Sequence, residues 1–585
     1  MEEGGGLGEN DMADPGARRI LSQVALGEVP PDIVIHDATV FNAHTGEFIP
    51  GQSIWIKDDL IAYVGKDPNP CQDARTHVID AEGMTIVPGL IDGHTHLVSN
   101  RYGIEEFIKY AIPTGVTTII TELMETATIS GREGVEYPAK GLKGQPIRFY
   151  YTLPPVCGLT PAEEIMALSH DEMIPFLRDP SCVGVGEIYW GNLFLKGIQG
   201  KRVQELVSIA LEMGKVIQGH TAAAPEKKLQ AYTDFGISSC HEPITGEEVL
   251  ERLRLGYWVM IREGSIRQEL PGVVEIFKRP IDFRKLILST DGVDPEGFLK
   301  EGYLDGSLKR GLRMGIPPVL AYQMVTLNVA EHFRLDHLIG SLSPGKKADL
   351  VMIPSPNEYS PRLVICNGRT IFREGRSLVE PRKVFFPDSM FRTVNLSDHG
   401  LPSLPNRGKG RGMELVSRLV TKESLFDLEN PEEMKGVLFV LVRDRLKAGE
   451  GFMGLLKGFG LQRGAYGTTT NWDSPALIVV GCDPLSMETA LGRLKENGGG
   501  AVYAIGEGVV ADFPAPICGL ISQKPMEIVR DETNHLEQCL RENGVNWEKP
   551  MLTVDTLTTA AIPHFRITHR GYVRLKDRKV LPVEA

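Results

Sequence analysis

The chain lacks most of the marks that would place it in a specialised class. No Cys-x-x-Cys occurs in its 585 residues, which removes zinc-finger and thioredoxin-type chemistry. Its eight cysteines are widely scattered, as small core residues in a reducing compartment are, not as a disulfide framework is. No apolar run reaches the length that crosses a bilayer. Positive charge is in deficit: 63 Lys and Arg stand against 76 Asp and Glu, a formal net charge of −13. No nucleic-acid partner is expected, because such binding draws on a positive surface. A basic start followed by an apolar stretch is missing too. The opening residues, Met1 to Met12, are glycine-rich and acidic, so a cytoplasmic address and no membrane partner are expected. What remains, 42% hydrophobic and 24% charged residues, is the make-up of a globular protein too long for one core.

Residues 1–30 read as a tail and a short amphipathic helix, Ala17 to Leu26. Short strand-like runs then alternate with turns: Asp32–Ile35, Ala38–Phe41, Ser53–Ile56, Leu60–Val64 and His77–Asp80. From Thr85 the pattern changes to strands alternating with helices. The strands are expected at 85–91, Val116–Glu122, Ile147–Leu153, Val183–Tyr189, Lys215–His220, Ile237–His241, Tyr257–Arg262 and Leu286–Thr290. Helices such as Pro161–Arg178, Arg202–Met213, Glu226–Phe235 and Glu247–Leu255 lie between them, and Pro317–Phe333 closes the series. In size and order this matches an α/β fold of the (β/α)8 TIM-like barrel type, over 85–338. Ile339–Ile353 and Pro361–Phe372, with a hairpin turn at Asn367-Gly368, resemble the early strands. Residues 31–84 and 339–400 are therefore expected to form one composite β-sandwich module. Residues 413–585 carry their own strands and helices and read as an additional C-terminal α+β domain.

The strand ends carry the chemistry. Pro88-Gly89-Leu90-Ile91-Asp92-Gly93-His94-Thr95-His96 brings an apolar run to two histidines one residue apart. In a strand, residues i and i+2 share a face, so His94 and His96 can hold one ion. Alone, the pair is equally an ordinary strand end, since imidazole ligands need partners to complete a shell. In a barrel of this type the working residues sit at the C-terminal strand ends. Reading those ends adds Glu187, His220, His241 and Asp291. Four imidazoles and two carboxylates converging on one mouth suit two divalent ions bridged by a carboxylate and a water. Glu242 and Glu263 lie beside strand ends, either as substrate contacts or as capping and ion-paired residues. Arg262 is read as holding a substrate carbonyl or one of those glutamates. His332, His535, His564 and His569 have no partner pattern and read as surface or structural residues.

Over nearly its whole length the chain resembles the adenine deaminase family of the amidohydrolase superfamily. The matching stretches are Ile86–His96, Gly184–Glu187, Gly219-His220, His241-Glu242, Met260–Ser265, Thr326–Glu331, Ser343–Leu350, Lys457–Leu461 and Asn497–Gly500. The resemblance implies two divalent metals, typically manganese or iron, with Mn2+ first and Fe2+ or Zn2+ served by the same ligands. It implies Glu187 as the bridging carboxylate. It implies hydrolytic deamination of adenine, or a related 6-aminopurine, to hypoxanthine and ammonia by a metal-activated hydroxide attacking C6, with Asp291 as the proton carrier. A homodimer is expected, the C-terminal domain offering the interface.

Several positions depart from the family pattern. Leu97-Val98 follows the histidine pair where Ile-Glu is usual, and Thr121–Glu125 replaces Asp-Pro-His-Glu after the second strand. Thr290–Pro295 lacks a second Asp and a His, and Asn471–Pro475 replaces a His-Asp-Ser-His stretch. The six ligand positions are intact. An amidohydrolase acting on another cyclic amide or on an imidazolone is the alternative these changes keep open.

Overall fold

The computed structural model describes residues 15–67, 70–97, 100–155, 158–159, 168–396, 400–405, 407–447, 449 and 451–585. The tail expected at the N-terminus, Val98, Cys157 and the first part of the helix expected at Pro161–Arg178 lie outside the described residues; of that helix, His170–Leu177 is described.

A helix, Pro15–Ala25, leads into a nine-stranded sheet. The central strand, Ile33–Asn42, pairs antiparallel with Glu47–Lys57 and parallel with both His77–Asp80 and Thr85–Pro88. Alternating apolar residues such as Ile35, Ile54 and Ile56 pack with Leu350, Met352 and Leu363 from far along the chain. That return is made by Leu350–Ile353, antiparallel to Thr85–Pro88, and by the hairpin Leu363–Cys366 and Arg369–Arg373. Asn367 and Gly368 both have positive φ, 49° and 69°, as a two-residue hairpin turn requires.

Three expectations need correction. The single strand expected at 85–91 is two: Thr85–Pro88 belongs to the nine-stranded sheet, and Leu90–Thr95 opens the parallel one. The chain changes sheets at Gly89, against Thr117, where an added Cβ would lie 2.1 Å from Thr117 Oγ1. The strand expected at Ile339–Ile353 is confined to Leu350–Ile353. The residues before it form a turn that hydrogen-bonds to Ile61 through Gly345 N and Lys346 O. The closing helix expected at Pro317–Phe333 is two short helices, Pro318–Met324 and Leu327–His332, because Thr326 leaves helical backbone with φ −141° and ψ −92°.

The parallel strands are β1 (Leu90–Thr95), β2 (Val116–Glu122), β3 (Arg148–Leu153), β4 (Cys182–Tyr189), β5 (Val216–His220), β6 (Ser239–Cys240), β7 (Trp258–Arg262) and β8 (Leu286–Ser289). β1 to β5 form one sheet and β6 to β8 a second. Every residue of β1, β2, β4 and β5 is buried, as in strands covered on both faces. The edges of the two sheets meet through Asp291 N donating to His94 O (3.0 Å) and Ser238 N donating to Ile217 O (3.2 Å). This α/β architecture, with its parallel sheet, carries the residues expected as ligands at one end.

The C-terminal segment is built on a separate eight-stranded sheet, with Thr421–Asp427 at one edge and Gly508–Pro514 at the other. Helices Pro484–Glu496 and Met526–Glu542 accompany it, and Phe565–Leu581 forms a small antiparallel sheet. It docks over the ligand-bearing end of the parallel strands. Arg101 Nη2 lies 2.7 Å from Asp555 Oδ2, Lys549 pairs with Asp294, and Met526 N donates to Glu106 Oε2 at 2.9 Å. Among the described residues no helix is long and apolar enough to cross a membrane.

Candidate metal centre

Each expected ligand is set by a local device. Asp92, buried beneath the histidine pair, accepts from Thr290 Oγ1 at 2.6 Å, tying β1 to β8. Asp291 follows Thr290 with φ 56°, a left-handed conformation that turns its side chain back over the strand ends. His220 closes β5, its backbone N donating to the Tyr232 hydroxyl at 3.1 Å. Glu187 stands in β4 at the centre of the group. Its Oε1 lies 3.3 Å from His94 Nε2, 3.0 Å from His96 Nε2 and 3.5 Å from His241 Nε2, and its Oε2 3.9 Å from His220 Nε2. Asp291 Oδ1 is 3.3 Å from His94 Nε2 and 3.6 Å from His96 Nε2. Two sets of donor atoms result, each within 4.8 Å of one another: His94, His96, Glu187 and Asp291, and Glu187, His220 and His241. Glu187 belongs to both.

The electrostatics fit a cation. Burial alone would raise the Glu187 carboxyl, but the surrounding imidazoles hold it well below the usual range. Asp291 is likewise desolvated, yet the His94 imidazole and the Arg262 guanidinium keep it at about 2. Burial works against a charged His96, but Glu125 and Glu187 lift its pKa well above the ordinary value. These carboxylates therefore draw protons onto the ligand nitrogens, and a metal would displace those protons. His94 Nε2 is buried without a hydrogen bond of good geometry although two carboxylate oxygens stand 3.3 Å away. An orphaned buried nitrogen facing two oxygens is what a cation between them would satisfy. His96 Nδ1 is fixed by Glu125 Oε1 at 2.7 Å, which turns Nε2 inward, as the outer partner of a metal-bound imidazole does. Imidazole nitrogens and carboxylate oxygens together suit zinc, iron or manganese.

The family model for the amidohydrolase family matches residues 85–371, and that for the adenine deaminase C-terminal domain matches residues 416–579. A Clostridium botulinum (strain Langeland) protein named adenine deaminase is 32% identical over 580 residues, covering 95% of each chain. One from Moorella thermoacetica is 31% identical over 575 residues, covering 95% of this chain and 96% of its own. One from Cenarchaeum symbiosum is 29% identical over 589 residues, covering 97% of this chain and 95% of its own. The chain belongs to the adenine deaminase family. Amidohydrolases are metal-dependent, and the two donor sets account for how this chain would hold metal.

Around the ligands lies a cavity of about 350 Å³. Glu242 and Arg262, both expected near substrate, line it. Glu242 also sits against the imidazoles of the donor sets, 2.8 Å from His241 Nε2, and accepts from Thr221 Oγ1 at 3.2 Å. Arg262 grips Glu269 through Nε and Nη2, at 3.2 and 2.6 Å, and its Nη1 stands 3.5 Å from Asp291 Oδ2. Glu263 does not join them. It accepts from Leu270 N at 2.9 Å and pairs with Arg310 at 3.1 Å, outside this cavity. Neighbours on a strand face opposite ways; with Arg262 turned inward, Glu263 is turned out.

Two groups were not foreseen. Glu122 lies 3.6 Å from His94 Nδ1, and burial pushes its carboxyl up to about 7. With Glu125 it braces the histidine pair from behind, and nothing in the spacing of Thr121–Glu125 identified that role. The deaminase-family C-terminal domain contributes the outer wall through Leu419, Trp472, Asp473 and Pro563. Asp473 Oδ2 accepts from the Tyr189 hydroxyl at 2.9 Å and from Thr559 Oγ1, and burial raises its carboxyl to about 6. The unusual Asn471–Pro475 stretch was the only sequence signal for this contribution.

Proposed function

We propose that the chain hydrolyses adenine to hypoxanthine and ammonia. The observation that carries this is Glu187, shared by both donor sets on the floor of a cavity whose surrounding chain matches proteins named adenine deaminase almost end to end. His94, His96, Glu187 and Asp291 would hold one divalent ion, and Glu187, His220 and His241 a second. When bound, such a pair supplies Lewis-acid charge and a water acidic enough to lose a proton near neutral pH. Mn2+ is the ion we favour, with Fe2+ and Zn2+ served by the same donors.

The chain's own groups do the rest. Asp291, ionised and desolvated, accepts the proton of the attacking water at a carboxylate oxygen. Water oxygen bonds to C6, the proton passes from Asp291 to the departing amine, and the C6–N bond breaks to release ammonia. Arg262 holds Asp291 Oδ2 in place through the charge of Nη1. The docked C-terminal wall limits access of bulk water.

The same reading includes a closed (β/α)8 barrel, supported by the hydrogen bonds at both sheet edges. It includes a composite β-sandwich of residues 31–84 and 339–400, with Thr85–Pro88 transferred to it, and a C-terminal domain at 413–585. It includes a cytoplasmic homodimer, which the sedimentation mass of the holoenzyme tests. The reaction itself is tested by incubating manganese-loaded protein with adenine, and separately with a panel of cyclic amides and imidazolones. Equimolar hypoxanthine and ammonia from adenine is the expected result. Turnover confined to a cyclic amide would replace this reading with the other amidohydrolase chemistry.

A further inference from the structure

Asp473 belongs to neither donor set, yet it faces the same cavity from the C-terminal domain. Its φ is 55°, a left-handed conformation that Asp adopts more readily than most residues. The flanking chain is tied down: Trp472 N donates to Asp555 O at 3.0 Å, and Asn471 Nδ2 donates to Ala476 O at 2.7 Å. Both side-chain hydrogen bonds, from Tyr189 and Thr559, arrive at Oδ2. Oδ1 accepts none from the described residues. Tyr189 stands two residues beyond Glu187 on β4 and lines the cavity with it. Asp473 is therefore held a phenol's length from the ligand end of the cavity.

An ionised carboxylate only accepts hydrogen bonds. Most purine ring nitrogens also only accept, and they would be repelled by it. The complementary atom is the N9–H of the free base, which lies across the ring system from C6. With C6 at the ligands, N9–H points outward, toward the wall that carries Asp473. Trp472 on the same wall offers an aromatic surface for the ring. We infer that Asp473 is a specificity-determining residue that reads the N9–H of the free base and rejects N9-substituted purines. The inference rests on the deamination reading above and names what that site selects.

The test compares kcat/KM for adenine and 9-methyladenine in the manganese-loaded full chain and in Asp473→Ala. A site built to bond an N–H rejects the analogue lacking it by up to about 10⁴-fold, and at least about 10²-fold discrimination is expected of the wild type. In Asp473→Ala the value for adenine should fall while that for 9-methyladenine holds or rises, so that the ratio drops below about tenfold. A carboxylate that merely anchors Tyr189 and Thr559 would lower both values together and leave the ratio intact, which overturns the inference. Asp473→Asn, equal in size, guards against misfolding. Its binding of hypoxanthine and 9-methylhypoxanthine by calorimetry should show the same loss of discrimination. Wild-type protein that releases ammonia from neither purine overturns the deamination reading and this inference with it. Wild-type protein that deaminates adenine, with discrimination kept in both variants, overturns the inference alone.

Discussion

In the proposed mechanism Asp291 carries the proton and Glu125 the scaffold. Asp291 is the carboxylate at the tip of β8, beside both members of the histidine pair and Arg262. Asp291→Asn keeps its size and one ligating oxygen but cannot take a proton. Turnover should fall at least about 10²-fold with metal content largely kept; kcat within a few-fold of wild type would reduce Asp291 to a ligand. Glu125 belongs to neither donor set but fixes His96 Nδ1. Glu125→Gln should weaken metal affinity by about 10- to 100-fold, read by competition with a chelating dye. Unchanged affinity would mean that the orientation of His96 is set by packing alone. The convergence of these six residues was legible because each lies at or near the end of an apolar run, where strand periodicity aims it. Glu125 was not legible: an acidic residue in the first turn of a helix, as here in Met124–Leu142, is commonplace, and only the fold brings it to His96. Of the two readings the sequence left open for Glu263, the structure shows the capping and ion-paired one; proximity to Arg262 could not choose between them, because it says nothing about which face a side chain takes.

At the level of elements, the parallel strands follow the apolar runs closely except at two places. β6 is only Ser239–Cys240, since the sequence there has few apolar residues to extend it. At Gly89 a continuous apolar run changes sheets, which hydropathy cannot register. The steric signature is testable. Gly89→Ala would drive a methyl into Thr117, and overpacking of this kind costs about 1–3 kcal/mol. A lowered thermal midpoint is expected, recovered in part by adding Thr117→Ala; an unaltered midpoint would show that the crossing tolerates a side chain. The return of Leu350–Ile353 to the first sheet was legible from matched strand and turn composition on either side of the parallel strands. The shortness of that strand was not, because the turn before it is held by backbone bonds to Ile61 and not by its own pattern.

For the whole molecule, the C-terminal domain completes the site, and charge holds it there. Asp294 is desolvated, but Lys549 draws its pKa below the ordinary value. A depressed carboxyl adds stability that is complete above its unfolded pKa, about 3.9, and is lost as pH falls through the folded value. The unfolding midpoint of Lys549→Met should therefore lie below that of wild type at pH 6, and the gap should close below about pH 4. A gap that persists undiminished at low pH would exclude this pair as its source. The docking of this domain could not be read from the sequence, because its contacts join residues hundreds of positions apart, such as Arg101 and Asp555. The most direct test of the two-ion site is a titration of metal-free protein with Mn2+, followed by ammonia release from adenine. Activity should rise and level off at two ions per chain. A plateau at one ion, or full turnover with none, would contradict a site in which Glu187 serves two metals.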